Sequence, residues 1–147
     1  MIVALLNPGN PNAHPYTLQT QSAADALGLR LQVLTAHTEG DLEAAFAIMV
    51  QQRADALLVI ADPFFIARRK QLVALAAGHA MPAIYPIAYF AECGGLMSYG
   101  PAAGSLYQQA GTYTERILKG ATLVDLPIEQ NTKQIRVGDQ PQNRQGS

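Results

Sequence analysis

Short apolar runs punctuate the chain at steady intervals: Ile2-Val-Ala-Leu-Leu6, Leu31-Gln-Val-Leu34, Ala56-Leu-Leu-Val-Ile60, Ala83-Ile-Tyr85 and Leu96-Met-Ser98. The first four are separated by roughly the length of a βα unit and are continuously apolar, the pattern of parallel strands buried on both faces. Between them the apolar positions take a helical period over Thr17 to Leu27, Asp41 to Arg53 and Phe65 to Ala77. Gly28 and Gly78 stand where glycines end helices, and Thr38 with Asp41 has nearly the spacing of a capping box. This alternation predicts an α/β fold, a doubly wound parallel sheet of about five strands flanked by helices.

Past Ser98 the pattern changes. Tyr99-Gly100-Pro101 reads as a turn, and Ala102 to Lys119 as a C-terminal crossover helix ended by Gly120. Its apolar side chains fall in two stripes, Leu106, Ala110, Tyr113 and Ile117 beside Tyr107, Thr114 and Leu118. That arc is wider than one packing face needs, which predicts a partner beyond the helix's own sheet, most simply a second copy in a homodimer. Leu126-Pro-Ile-Glu-Gln130 and Lys133-Gln-Ile-Arg-Val137 read as short edge strands. Residues 1–137 are therefore expected to form one α/β lobe, with 99–137 as crossover helix and edge segment, and the polar stretch 138–147 as a flexible tail.

Composition narrows the class. A chain of 147 residues has the length of one domain, and 49 % hydrophobic against 14 % charged residues supports a sizeable core and excludes a solvating tail. Ten basic and eleven acidic side chains leave a net charge of −1, with no basic cluster beyond Arg68-Arg69-Lys70. Nucleic acid is thus not an expected partner. No run approaches the roughly 18 apolar residues that span a bilayer. Asn7-Pro8-Gly9 follows the first run too closely for a secretory leader, so the chain is expected to carry no export signal.

Candidate chemistry is sought at the carboxyl ends of the strands, where open parallel sheets bind ligands. That rim reads Asn7 to Asn12, Thr35 to Thr38, Asp62-Pro63-Phe64-Phe65, Tyr85-Pro86 and Tyr99-Gly100-Pro101. It is rich in amides, hydroxyls and rings and poor in titrating groups, which suits oriented binding of a small molecule and not proton transfer. Candidate ligand-binding residues are Asn7, Asn12, Asp62, Phe64, Tyr85 and Tyr99. Asp62 reads equally as a partner for a ligand ammonium and as a helix cap. The Asn7 to Asn12 turn matches neither glycine-rich phosphate motif. Cys93 has no sequence neighbour to act as its base, and His14, His37 and His79 are scattered. His79 is expected at a helix end beside terminal carbonyls. No catalytic residue, metal or cofactor is expected, and the chain reads as a binder, not an enzyme.

Several stretches resemble the carboxy-terminal lobe of the ABC-transporter substrate-binding protein family, a branch of the type I periplasmic-binding-protein fold. They are Val3 to Asn12, Arg53 to Phe65, Arg69 to Ala77, Pro82 to Pro86, Gly94 to Pro101 and Tyr113 to Gly120, followed by Leu126-Pro127 and Thr132-Lys133. The resemblance implies a lobe that helps hold a small solute such as an amino acid or aromatic acid. It further implies a transporter permease as partner and an extracytoplasmic location for a full-length protein. Family members have two lobes and an export signal, so the chain looks like the second lobe alone. The rival class is a receiver-like signalling domain with Asp62 as phosphoacceptor. A receiver also needs an acidic pair after the first strand and a lysine after the fifth, where Asn7-Pro8 and Tyr99-Gly100 stand.

Overall fold

A computed structural model describes residues 1–101, 103–121 and 133–138. In chain order the elements are β1 (Ile2–Leu6), α1 (Ala13–Ala26), β2 (Leu31–Thr35), α2 (Glu39–Gln51), β3 (Ala56–Val59), α3 (Pro63–Ala67), α4 (Arg69–Gly78), β4 (Ala83–Tyr85), α5 (Ala88–Glu92), β5 (Met97–Pro101), α6 (Ala103–Leu118) and β6 (Lys133–Val137). They build one sheet in the order β2-β1-β3-β4-β5-β6. The first five strands are parallel and β6 runs antiparallel to β5. The doubly wound parallel sheet stands, with a sixth strand where Lys133 to Val137 was expected at an edge.

The helix starts follow from local chemistry. At α2, Asp41 N–H donates to Thr38 Oγ1 at 3.2 Å while Thr38 N–H donates to the Asp41 carboxylate at 3.0 Å, a closed capping box. The backbone hydrogen bond from His37, the Thr38 side chain and the nearby imidazole hold the Asp41 carboxyl below its ordinary range. Helix α1 begins four residues earlier than its periodicity predicts. Pro15 lies in the first turn, where a missing N–H costs no intrahelical bond. The long helix expected over Phe65 to Ala77 breaks at Arg68 into α3 and α4. Gly28 takes the left-handed conformation that ends α1 (φ +66°), whereas α4 runs through Gly78 and Ala80 is the left-handed residue beyond it (φ 51°).

Two expectations near the C-terminus are corrected. Tyr99-Gly100-Pro101 is strand, not turn, because it pairs antiparallel with Lys133 to Ile135 of β6, and β5 runs so close to Pro86 that a Cβ on Gly100 would stand 1.8 Å from the Pro86 carbonyl oxygen. Gly138 is not the start of a loose tail. It is buried and donates to the Leu96 carbonyl at 2.8 Å, with room for no side chain against the Gly95 carbonyl. The remainder of the expected tail, 139–147, and the expected strand Leu126 to Gln130 lie outside the described residues.

One sheet face carries the core. Val3, Leu5, Leu57, Val59, Ala83 and Tyr85 pack with Leu42, Phe46 and Met49 of α2, Leu72, Val73 and Ala76 of α4, Phe65 of α3 and Phe90 of α5. Strand β1 is buried on both faces; β3 and β4 alternate. The opposite face is covered near β2 by α1; among the described residues, none is buried on it farther along. There Leu58, Ile84 and Met97 lie side by side in register and are half-buried, and Tyr99 and Ile135 beyond them are exposed. On α6 every described side chain is exposed, including Ile117 and Leu118, while those of Leu106, Tyr107 and Tyr113 lie outside the described residues.

Candidate functional site

The polypeptide leaving β1 folds into two successive asparagine turns. Asn7 Oδ1 accepts from Gly9 N–H at 2.9 Å, and Asn10 Oδ1 accepts from Asn12 N–H at 2.9 Å. With their oxygens used locally, both side-chain amides point their NH2 groups at the end of β3. Asn7 Nδ2 donates to Asp62 Oδ1 at 2.9 Å, and Asn10 Nδ2 donates to Asp62 Oδ2 at 2.8 Å. Phe64 N–H adds a third bond to Asp62 Oδ1 at 2.8 Å, which caps α3. Of the two sequence readings for Asp62, the cap is the one seen directly in these bonds. Its carboxylate is also 4 % exposed and neutralised only by dipoles: among the described residues no Lys or Arg pairs with it. A carboxylate has about four lone-pair positions, so three bonds leave one open.

This cluster borders a cavity of about 550 Å³ between the carboxyl ends of β1 and β3, where the strand order reverses. Asn7, Asn10, Asn12 and Asp62 form its polar side; Tyr16, Phe64 and Ile66 form its apolar side. The Phe64 ring has two close neighbours. Arg68 lies 5.7 Å from its centroid, and buried Phe65 packs at 5.6 Å with a 58° tilt. Arg68 Nε is itself 2.7 Å from Glu39 Oε1, an ion pair without hydrogen-bond alignment. A second cavity of about 440 Å³ shares Tyr16 and Ala61 with the first and continues over Leu58, Ile60 and Ile84 to Tyr99.

Asn7, Asn12, Asp62 and Phe64 thus come together at the first cavity, and Tyr99 stands at the far end of the second. Tyr85 does not join them with its ring. Register puts it beside Ser98 on the core face, where the ring stacks on Phe90 at 4.7 Å and is 1 % exposed. Among the described residues its hydroxyl has no hydrogen-bond partner, and burial pushes the phenol well above its ordinary range. Asn10 and Tyr16 were missed. Asn10 was legible only as turn chemistry, and Tyr16 becomes a rim residue once α1 is seen to begin at Ala13. Cys93 is half-buried against the core, His37 pairs with Asp41 at 3.0 Å, and His79 stacks on Phe46 at 5.9 Å and not on terminal carbonyls. Among the described residues no three His, Cys, Asp or Glu side chains gather to hold a metal ion. No described helix is long and apolar enough to cross a membrane.

Residues 1–137 match the family described as ABC transporter substrate binding protein. No curated protein sequence matches the chain. Among solved structures, a conserved domain protein from Vibrio cholerae O1 biovar El Tor superposes with a TM-score of 0.75 at 20 % identity, over 92 % of this chain and 46 % of its own. An ABC domain from Streptococcus pneumoniae, solved in complex with L-Trp, gives 0.75 at 20 % identity over 92 % and 47 %. The ligand-free, open form of CD0873, a substrate-binding protein with adhesive properties from Clostridium difficile, gives 0.71 at 19 % identity over 94 % and 47 %. The chain spans about half the length of these structural relatives.

Proposed function

The chain belongs to the ABC transporter substrate-binding protein family, and from that premise we propose that it is one lobe of a solute-binding protein whose ligand sits in the cavity between β1 and β3. The family match sets aside the receiver alternative. The amides of Asn7 and Asn10, not carboxylates, flank Asp62 and would leave Mg²⁺ a single acidic ligand.

The observation that carries the proposal is the buried Asp62 carboxylate, with no Lys or Arg pairing it among the described residues, in the lining of a cavity that also holds Tyr16 and Phe64. A ligand ammonium on the open Asp62 lone pair, with a flat or apolar body against Phe64, fits both sides. The ligand class is therefore amino-acid-like, and the relative solved with L-Trp supports it. An aromatic acid is the second reading, with Asn12, whose side chain makes no capping bond to α1, as polar partner. The role is binding without turnover, in an extracytoplasmic setting, with delivery to a transporter permease. A single lobe buries one side of its ligand, so its affinity is weaker than that of a closed two-lobe site. A two-fold homodimer through α6 belongs to the same proposal.

Weak binding is read by titrating the ¹⁵N-labelled chain with L-amino acids and aromatic acids. Amides of Asn7 to Asn12 and of Asp62 to Phe64 are expected to shift, and Asp62→Asn is expected to weaken binding of amino acids about tenfold. Absence of any shift with every solute would remove the cavity as a ligand site.

A further inference from the structure

We propose that the solute is bipartite: a compact polar head seats against Asn7, Asn10 and Asp62, and an apolar tail passes Tyr16 and lies along the open sheet face of β3 and β4. This rests on the reading of the first cavity as the ligand site. Three observations carry it. The two cavities, of about 550 and 440 Å³, share Tyr16 and Ala61 in their linings and so adjoin there. The lining changes chemistry from one to the other, from amides and a carboxylate to Leu58, Ile60 and Ile84. The apolar floor follows from strand alternation: Leu57, Val59 and Ala83 face the core and are buried, whereas Leu58 and Ile84, paired in register between them, turn to the other face, line the second cavity and stay half-buried.

A wholly polar solute would leave this floor wet, whereas a ligand with an apolar extension removes it from water and gains by doing so. Tyr16, fixed in the first turn of α1 and bordering both cavities, is then a specificity residue. Its ring decides how wide a tail passes from one to the other.

The test uses the whole ¹⁵N-labelled chain and a series sharing one α-amino acid head: alanine, norvaline, norleucine, aminooctanoic acid and aminodecanoic acid, each below its aggregation concentration. Alanine is expected to shift amides only around Asn7 to Asn12 and Asp62 to Phe64. Longer members should add shifts at Leu58, Ile60, Ile84 and Tyr99, with affinity rising about two- to fourfold per methylene once the chain clears Tyr16. Ile84→Thr, a β-branched replacement suited to a strand, should flatten that rise. Tyr16→Ala, on a helix surface, should admit branched tails into the second cavity that the native ring holds back. Affinity independent of length, with shifts confined to the first cavity, overturns the bipartite ligand and leaves the head site standing. Length-dependent shifts on α6 in place of the sheet face also overturn it. No shift with any member overturns the head site as well.

Discussion

Asp62 and Tyr85 are both rim residues by sequence position, yet their replacement should be felt first in stability. Asp62→Ala removes the α3 cap and strands two asparagine amides, so it is expected to cost about 2 kcal/mol or more in urea unfolding. Asp62→Asn keeps a cap and is the cleaner probe of charge. Tyr85→Ala empties a ring site in the core and should cost about 3–5 kcal/mol. Tyr85→Phe only deletes a hydroxyl with no partner, and should stabilise by about 1 kcal/mol. The pH dependence follows from the raised phenol. An unfolded chain ionises this tyrosine near its ordinary value of 10.0 and the folded chain does not. Its contribution is therefore complete below that value and is lost as pH rises toward the folded one, so Tyr85→Phe should flatten the alkaline limb of a stability profile. The sequence could not give this placement. In a strand of three residues the choice of face depends on register with β3 and β5, which no local pattern reports.

At the scale of elements, legibility follows the strength of the local signal. The βα alternation was readable because strand and helix periods differ, and the α2 start because Thr38 and Asp41 satisfy each other's backbone. Thr38→Ala is expected to lower stability by about 1 kcal/mol at neutral pH, read as a shift of the urea midpoint with unchanged slope. The Asp41 half of the box is held above the ordinary carboxyl value of 3.8 and lost as pH falls through the lowered folded one, so the Thr38 effect should shrink in strong acid. What was unreadable has equally local reasons. Helix α5 spans five residues, too few for a period, and the course of β5 over Pro86 depends on a backbone approach that only glycine at position 100 allows. The seat itself was half legible: its residue types were visible on the rim, but the bonds that join Asn7 and Asn10 to Asp62 cross between strands far apart in the sequence.

For the whole molecule, the half-buried apolar residues of β3 to β5 and the exposed Ile117 and Leu118 of α6 are the unbalanced surfaces among the described residues. If α6 mediates a two-fold dimer, sedimentation at micromolar concentration should give twice the 15.7 kDa chain mass, and Ile117→Glu with Leu118→Glu should return a monomer. A monomeric native chain across that range removes the dimer and leaves the cavity untouched. The seat has a different consequence. Its hydrogen bonds join residues 55 apart in the chain, so the geometry that grips a solute exists only once β1 and β3 are paired. A solute that recognises it cannot bind the unfolded chain, and at a hundred times its dissociation constant it adds about 2.7 kcal/mol to the folded state. Heating the protein beside a panel of candidate compounds thus turns the melting temperature into an identifier: the compound that raises it furthest at equal concentration is the one the seat was shaped for.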